Sequence, residues 1–249
     1  MQFFRQLYAL TKRNVTVRYK HSLLGFIWGF IKPLLYLFIF IIIFSAQFTS
    51  IANYVLYTTS GLIFWFFFAN MTSQGASSII TSSGIIKSLK LQTILFPLAE
   101  GMSELFNLCL TLIVFLLLMP WFGFHWNLSI IWLFPTIILF AIFSMGITLI
   151  LSSLNVYFRD VGILWSTIQP AFFYLTPIAY TESLIPEKFI PFIRANPIYA
   201  FMQLIRQVLY ENRHPDLQVL FTCSFLSLGS FMVGYFIFHR LKNQFITAI

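Results

Sequence analysis

The chain alternates long apolar runs with short polar interruptions. Apolar runs fall at about 23–46, 54–72, 99–119, 130–151, 161–178 and 217–238. Each is long enough to cross about 30 Å of hydrocarbon as a helix rising 1.5 Å per residue. The pattern predicts an all-α, polytopic membrane protein with six transmembrane helices. Residues 3–20 read differently. On a helical wheel, Phe3, Phe4, Leu7, Tyr8, Leu10, Val15, Val17 and Tyr19 share one broad face, while Arg5, Gln6, Lys12, Arg13, Thr16 and Lys20 share the other. That arrangement suits an amphipathic helix lying in the headgroup region. A single domain 1–249 is therefore expected, with an interfacial helix at 1–22, a six-span body at 23–238 and a tail at 239–249.

The connections are unequal. Residues 179–216 form a long outside segment containing Pro186, Pro191, Pro197 and Pro215. Within it, 183–193 alternates apolar and polar positions, and 198–210 predicts a second short helix that re-enters the membrane from outside.

Composition agrees with lipid as the solvent: 59% of residues are hydrophobic and 9% charged, against about a quarter charged in soluble domains. The first twenty residues are polar and basic, so no removable signal is expected and the first span stays as an anchor. Cys109 and Cys223 fall inside apolar runs and read as small buried hydrophobes. The formal charge of +8 follows the membrane, which disfavours a nucleic-acid partner. Arg5, Lys12, Arg13, Arg18, Lys20, Lys32, Lys87, Lys90, Arg159, Arg240 and Lys242 all fall on one side if both termini are cytoplasmic, leaving only Lys188, Arg194, Arg206 and Arg213 outside. The positive-inside bias selects that orientation.

Several polar residues stand against this background. Arg18 lies within the apolar arc of the interfacial helix, so it snorkels, meets an acidic partner or binds an anion. Lys32 either marks, with Pro33, the true start of the first span or contacts an anionic ligand. The link 74–97 carries Gly84, Lys87 and Lys90. Glu100 and Glu104 follow one turn apart, favourable at a helix amino terminus and suited to pairing with the basic interfacial helix. A second link, Asn155-Val156-Tyr157-Phe158-Arg159-Asp160, lies on the same side. Among the abundant aromatics, Tyr36, Trp65, Phe172, Phe173 and Tyr174 are candidates for a passage whose rings stack on the apolar faces of sugars.

No glycine-rich phosphate loop is present, so the chain does not hydrolyse ATP alone. His21, His125, His214 and His239 are scattered, with no zinc or triad spacing. The spans hold too few ionisable residues for a proton or sodium relay.

The segments 18–25 (RYKHSLLG) leading to Trp28 and Pro33, 155–160 (NVYFRD), 176–180 (TPIAY) and 196–198 (NPI) before Arg206-Gln207 resemble, in that order, the membrane subunits of ABC-2 type polysaccharide exporters. The resemblance spans nearly the whole chain. It implies a homodimer in the bacterial inner membrane, joined to two copies of a separate subunit that binds ATP and Mg, with no cofactor in this chain. The implied cargo is an undecaprenyl-linked polysaccharide, O-antigen before capsule or teichoic acid. Residues 3–20, 76–96 and 154–161, with Lys87, Lys90, Tyr157, Arg159 and Asp160 among them, would receive the motion of the ATPase, together with Glu100 and Glu104. Arg18, Lys20 and Lys32 would meet the lipid pyrophosphate, and outside re-entrant helices would cap the channel. Competing expectations are an exporter of a small drug or lipid, and a membrane enzyme acting on a lipid-linked substrate. For the enzyme, only Glu100 and Glu104 cluster.

Overall fold

A computed structural model describes residues 2–20, 27, 31, 34–36, 38–40, 42, 51–89, 91–124 and 126–245. Most of the first predicted span, 23–46, lies outside the described residues, as do Lys32 and Lys90.

Among the described residues all regular structure is helical. The longer elements are α1 (Gln2–Tyr19), α2 (Tyr54–Thr81), α3 (Ser83–Leu89), α4 (Leu95–Leu118), α5 (Leu133–Tyr157) and α6 (Asp160–Leu175), followed by α7 (Ile190–Arg194), α8 (Pro197–Leu209) and α9 (Leu217–Leu241). Four stretches are long and apolar enough to cross a membrane: Tyr54–Thr81, Leu95–Phe122, Leu128–Tyr157 and Leu217–Gln244. Helix α6 has 16 residues, about 24 Å at 1.5 Å per residue. It stops at Thr176, whose extended backbone (φ −105°, ψ 122°) fits the steric demand of Pro177 on its predecessor.

Helix α2 is central. Its apolar window is 89% buried, against 22% for α4 and 17% for α9, whose outer faces are left for lipid. Phe68 stacks on Phe143 of α5 at 6.1 Å, and Phe140 and Phe143 lie 5.1 and 4.8 Å from Phe201 of α8. Many phenylalanines thus bind helices together, and α8 is drawn into the body by its aromatic face.

Helices α5 and α9 approach backbone to backbone. A Cβ on Gly146 would lie 2.4 Å from the Ser230 carbonyl oxygen, and one on Gly234 would lie 2.2 Å from the Gly146 carbonyl oxygen. Ser227 and Ser230 use the closeness, donating to the carbonyls of Leu139 at 2.7 Å and Phe143 at 2.9 Å. Small residues allow this packing where no hydrophobic force separates helix from lipid. Cys223 is buried as expected, but Cys109 is exposed on α4, because α4 turns part of its apolar surface outward.

Candidate functional site

At the basic end of the molecule, α1 is fastened to α4. Glu104 is almost wholly buried, and the Arg18 guanidinium pairs with it while approaching Glu100 at 3.7 Å. Asn14 donates to Glu100 at 2.9 Å and Tyr19 to Asn107 at 2.7 Å. Of the three readings open for Arg18, the acidic partner is the one realised. Leu10 is buried beneath this cluster, whereas Phe4 and Tyr8 are exposed and available to lipid. The amphipathic helix is thus attached to α4 on one side and leaves apolar surface open on the other.

Beside it, Lys87 on α3 is exposed, and so are Arg159 and Asp160 at the α5–α6 junction. Tyr157 donates to the Leu241 carbonyl at 2.8 Å, joining the end of α5 to the end of α9. The residue that secures the junction is Asn155. Its amide donates to the Ala76 carbonyl of α2 at 3.0 Å, and its oxygen accepts from the Gly162 N–H of α6 at 2.9 Å. A side chain offering both donor and acceptor is needed there. Asn155 stands in the segment singled out from sequence, where only Tyr157, Arg159 and Asp160 were assigned a role.

A polar seam continues from Asn155 along α2 and α6. Trp165 donates to the Thr72 hydroxyl at 3.1 Å, and Gln169 donates to the Ala69 carbonyl at 2.9 Å and to Thr72 at 3.2 Å. Ser73 donates to Gln169 at 3.3 Å. Sequence reasoning passed over these residues. The available signal was a glutamine inside an apolar run, which has to find a partner when buried. Beyond the seam, Trp65 lies 5.4 Å from Phe173, Tyr36 lies 6.5 Å from Phe173, and Phe173 lies 5.2 Å from Tyr174. Phe172 turns instead to Trp165, at 6.2 Å. Four of the five singled-out aromatics thus meet directly, and Phe172 joins them through Trp165 and the core. A cavity of about 220 Å³ opens beside Phe40, Phe173, Tyr174, Ile178 and Tyr180. Trp65 is buried, while Tyr174 and Tyr36 are exposed.

The far end is closed by a clamp on Arg206 of α8. This guanidinium is buried, donates to the carbonyls of Pro177 and Ile178, and lies 3.8 Å from the Tyr57 ring centroid. Carbonyl dipoles and an aromatic face stand in for a carboxylate. Tyr57 donates to the Tyr180 carbonyl at 2.8 Å and Tyr54 to the Ala179 carbonyl at 3.1 Å. Asn196 accepts from the Ile198 N–H at 3.0 Å and donates to Thr176 at 2.9 Å, capping α8 and tying it to the end of α6. The Thr176–Tyr180 and Asn196–Arg206 segments, twenty residues apart in sequence, thus form one structure. At the surface, Arg194 pairs with Glu182 at 3.0 Å, and this bond holds the Glu182 carboxyl below the usual carboxylate range. From sequence, Arg206 counted as an outside cation and, with Gln207, as part of the family resemblance, with no partner assigned; the signal for its burial was its position among apolar neighbours on 198–209.

The chain is 33% identical over 244 residues to the O-antigen export system permease protein RfbA of Klebsiella pneumoniae, covering 97% of this chain and 94% of the relative. It is 27% identical over 252 residues to the protein of the same name from Myxococcus xanthus, covering 100% and 96%. A more distant relative, the capsule polysaccharide export inner-membrane protein CtrC of Neisseria meningitidis serogroup A, is 22% identical over 208 residues, covering 81% and 78%. The pattern of the ABC-2 type transporter family matches residues 5–210, and the chain belongs to that family.

Proposed function

We propose that the chain is the permease subunit of an ATP-driven exporter that carries a lipid-linked polysaccharide, O-antigen, from the cytoplasmic to the outer face of the inner membrane. The observation that carries this reading is the likeness, over nearly the full length, to O-antigen export permeases at 27–33% identity, with capsule exporters more distant.

In this reading residues 23–46 and α6 complete a set of six spans, both termini are cytoplasmic, and α7 and α8 re-enter from outside as a cap. Two copies of the chain assemble with two copies of an ATP-binding subunit that holds ATP and Mg. Helix α1, helix α3 with Lys87 and Lys90, and the α5–α6 junction with Tyr157, Arg159 and Asp160 take up the ATPase motion. The ties from Arg18 to Glu104 and Glu100, and from Asn155 to α2, support this, because displacement of either element pulls on a span.

The second copy faces α6. Most of α6 is exposed, including Ser166, Thr167 and Pro170, and it carries the aromatic cavity at its outer end. Tyr36, Trp65, Phe172, Phe173 and Tyr174 contribute the aromatic wall of the glycan path, where dispersion contacts tolerate sliding. Lys20 and Lys32 greet the lipid pyrophosphate. Arg18, already paired, holds the entrance helix in place and shares its residual field with the anion.

Deletion of the gene tests the reading. Loss of surface O-antigen with intracellular accumulation of the undecaprenyl-linked polymer is expected. Unchanged surface O-antigen overturns it, and loss of capsule alone would reassign the cargo.

A further inference from the structure

A cavity at the basic end is given no role in the function described above. It measures about 620 Å³ and lies between the segment 91–94, which joins α3 to α4, and the end of α9. Its walls include Gln92, Thr93, Tyr235, His239, Lys242 and Asn243. We propose that this cavity seats the phosphate of an anionic phospholipid from the inner leaflet.

The argument begins with the gradient along α9. Met232, Val233, Tyr235 and Phe236 expose apolar surface. Within about two further turns come His239, Arg240 and Lys242. Arg240 lies 5.1 Å from the Phe236 ring, folded back toward the apolar surface. Such a helix end offers acyl chains dry surface, aromatic rings at the boundary, and cations where a headgroup begins, with Tyr235, His239 and Lys242 on the side that lines the cavity.

Charge bookkeeping within the chain points the same way. Glu100 and Glu104 pair with Arg18, Glu182 with Arg194, and Glu211 and Asp216 with Arg213. Among the described residues, no carboxylate pairs with His239, Arg240 or Lys242. Gln92, Thr93 and Asn243 add neutral donors around Lys242, a set suited to a tetrahedral oxyanion with several acceptors. Basic pockets beside spans on the cytoplasmic side are places where phospholipid headgroups bind.

The wall has a second side. Leu91 and Gln92 also line a cavity of about 250 Å³ shared with Gln2, Phe3 and Gln6 of α1. A phosphate in the larger cavity would therefore brace the strand of chain that separates it from the interfacial helix. The site rests on the membrane placement of α9 and on the cytoplasmic orientation proposed above, and it stands apart from the identity of the cargo.

The test uses the full-length chain, delipidated in detergent and titrated with dioleoyl-phosphatidylglycerol or dioleoyl-phosphatidylcholine, with bound lipid read by native mass spectrometry. Phosphatidylglycerol should bind about five-fold or more tightly than phosphatidylcholine, the effect of roughly one Lys contact near a membrane surface. The Lys242→Gln/His239→Gln pair should abolish the preference, Lys242→Arg should keep it, and Lys188→Gln on the outer loop should leave it unchanged. Equal binding of the two lipids by the wild type overturns the proposal. So does a preference surviving in the double variant, or lost in Lys242→Arg when that variant keeps the wild-type melting profile. Inorganic pyrophosphate separates the other source of this chemistry: displacement of bound phosphatidylglycerol only at millimolar pyrophosphate fits a phospholipid seat. Tight pyrophosphate binding without phosphatidylglycerol preference assigns the cavity to a soluble or cargo phosphate instead, and sinks the lipid assignment.

Discussion

Arg18 on the interfacial helix ends against Glu104 on α4, so the one cation that interrupts the apolar arc of α1 is the one that fastens α1 to the membrane body. The carboxylate is buried and the guanidinium keeps about a third of its exposure. Removing Arg18 alone leaves a buried charge without its partner, which is worse than removing both. Arg18→Ala should lower stability by roughly 2 kcal/mol, less than the ~3–5 kcal/mol of a fully buried pair because Arg18 still meets solvent. Arg18→Ala/Glu104→Gln should recover much of that loss. Thermal unfolding of the purified variants checks the order, while export should stay low in both because α1 is no longer tied to α4.

Asn155 makes a separate prediction. Asn155→Ala leaves the Ala76 carbonyl and the Gly162 N–H without their partner and should cost about 1–3 kcal/mol. Arg159→Ala and Asp160→Ala, at exposed positions, should unfold like the wild type and reduce only partner-dependent export. Melting curves and export measured in parallel distinguish the two classes.

The outer clamp depends on geometry as well as charge. Arg206→Lys keeps a cation but loses the planar guanidinium that lies against Tyr57 while its Nη2 donates to both carbonyls. Hydrogen exchange at 177–181 and 198–209 should accelerate in this variant. Tyr57→Phe keeps the ring and loses only the bond to the Tyr180 carbonyl, a cost of about 1 kcal/mol, so its acceleration should be smaller.

Gly234→Ala should be among the more damaging single-methyl changes in the molecule. Its Cβ would fall on the Gly146 carbonyl, and α5 and α9 must separate to admit it. Overpacking of this kind costs about 1–3 kcal/mol. Gly84→Ala, where a Cβ meets nothing within 4 Å, should be neutral or slightly stabilising in the melting temperature.

The Arg194–Glu182 pair should tolerate mild acid. The Arg194 contact depresses the Glu182 pKa in the folded state, so its stabilisation is complete above the unfolded carboxylate pKa and disappears as pH falls through the lowered folded value. Divided by the intrinsic, pH-dependent exchange rate, hydrogen exchange of α7 and α8 should therefore be flat from pH 7 to about 5 and rise below about 4, near and under the ordinary Glu value. Glu182→Gln should remove that rise.

Periodicity and length made the four long helices legible, because a buried or lipid-facing helix needs an unbroken apolar run whatever its neighbours do. They also marked 198–210 as a short helix, observed as Pro197–Leu209. The pairing of α1 with Glu100 and Glu104 was legible too, since one basic helix and two isolated carboxylates had few other partners. The seam through Trp165 and Gln169 was not. Hydropathy scores a tryptophan or a glutamine by itself, whereas the role of each depends on which hydroxyl or carbonyl a neighbouring helix presents. Arg206 was misjudged for a similar reason: counting it among outside charges ignores that carbonyls and a tyrosine ring, rather than water, surround it.

The most direct test is translocation in proteoliposomes containing this chain and its ATP-binding partner, with a labelled undecaprenyl-linked glycan accessible on the outer leaflet and the ATP-binding subunits facing out. ATP should move the glycan to a leaflet protected from added glycosidase, with no protection when either subunit is omitted and little when Arg18→Ala replaces the wild type. Equal protection without ATP or without this chain, or none from the intact complex, would contradict the account.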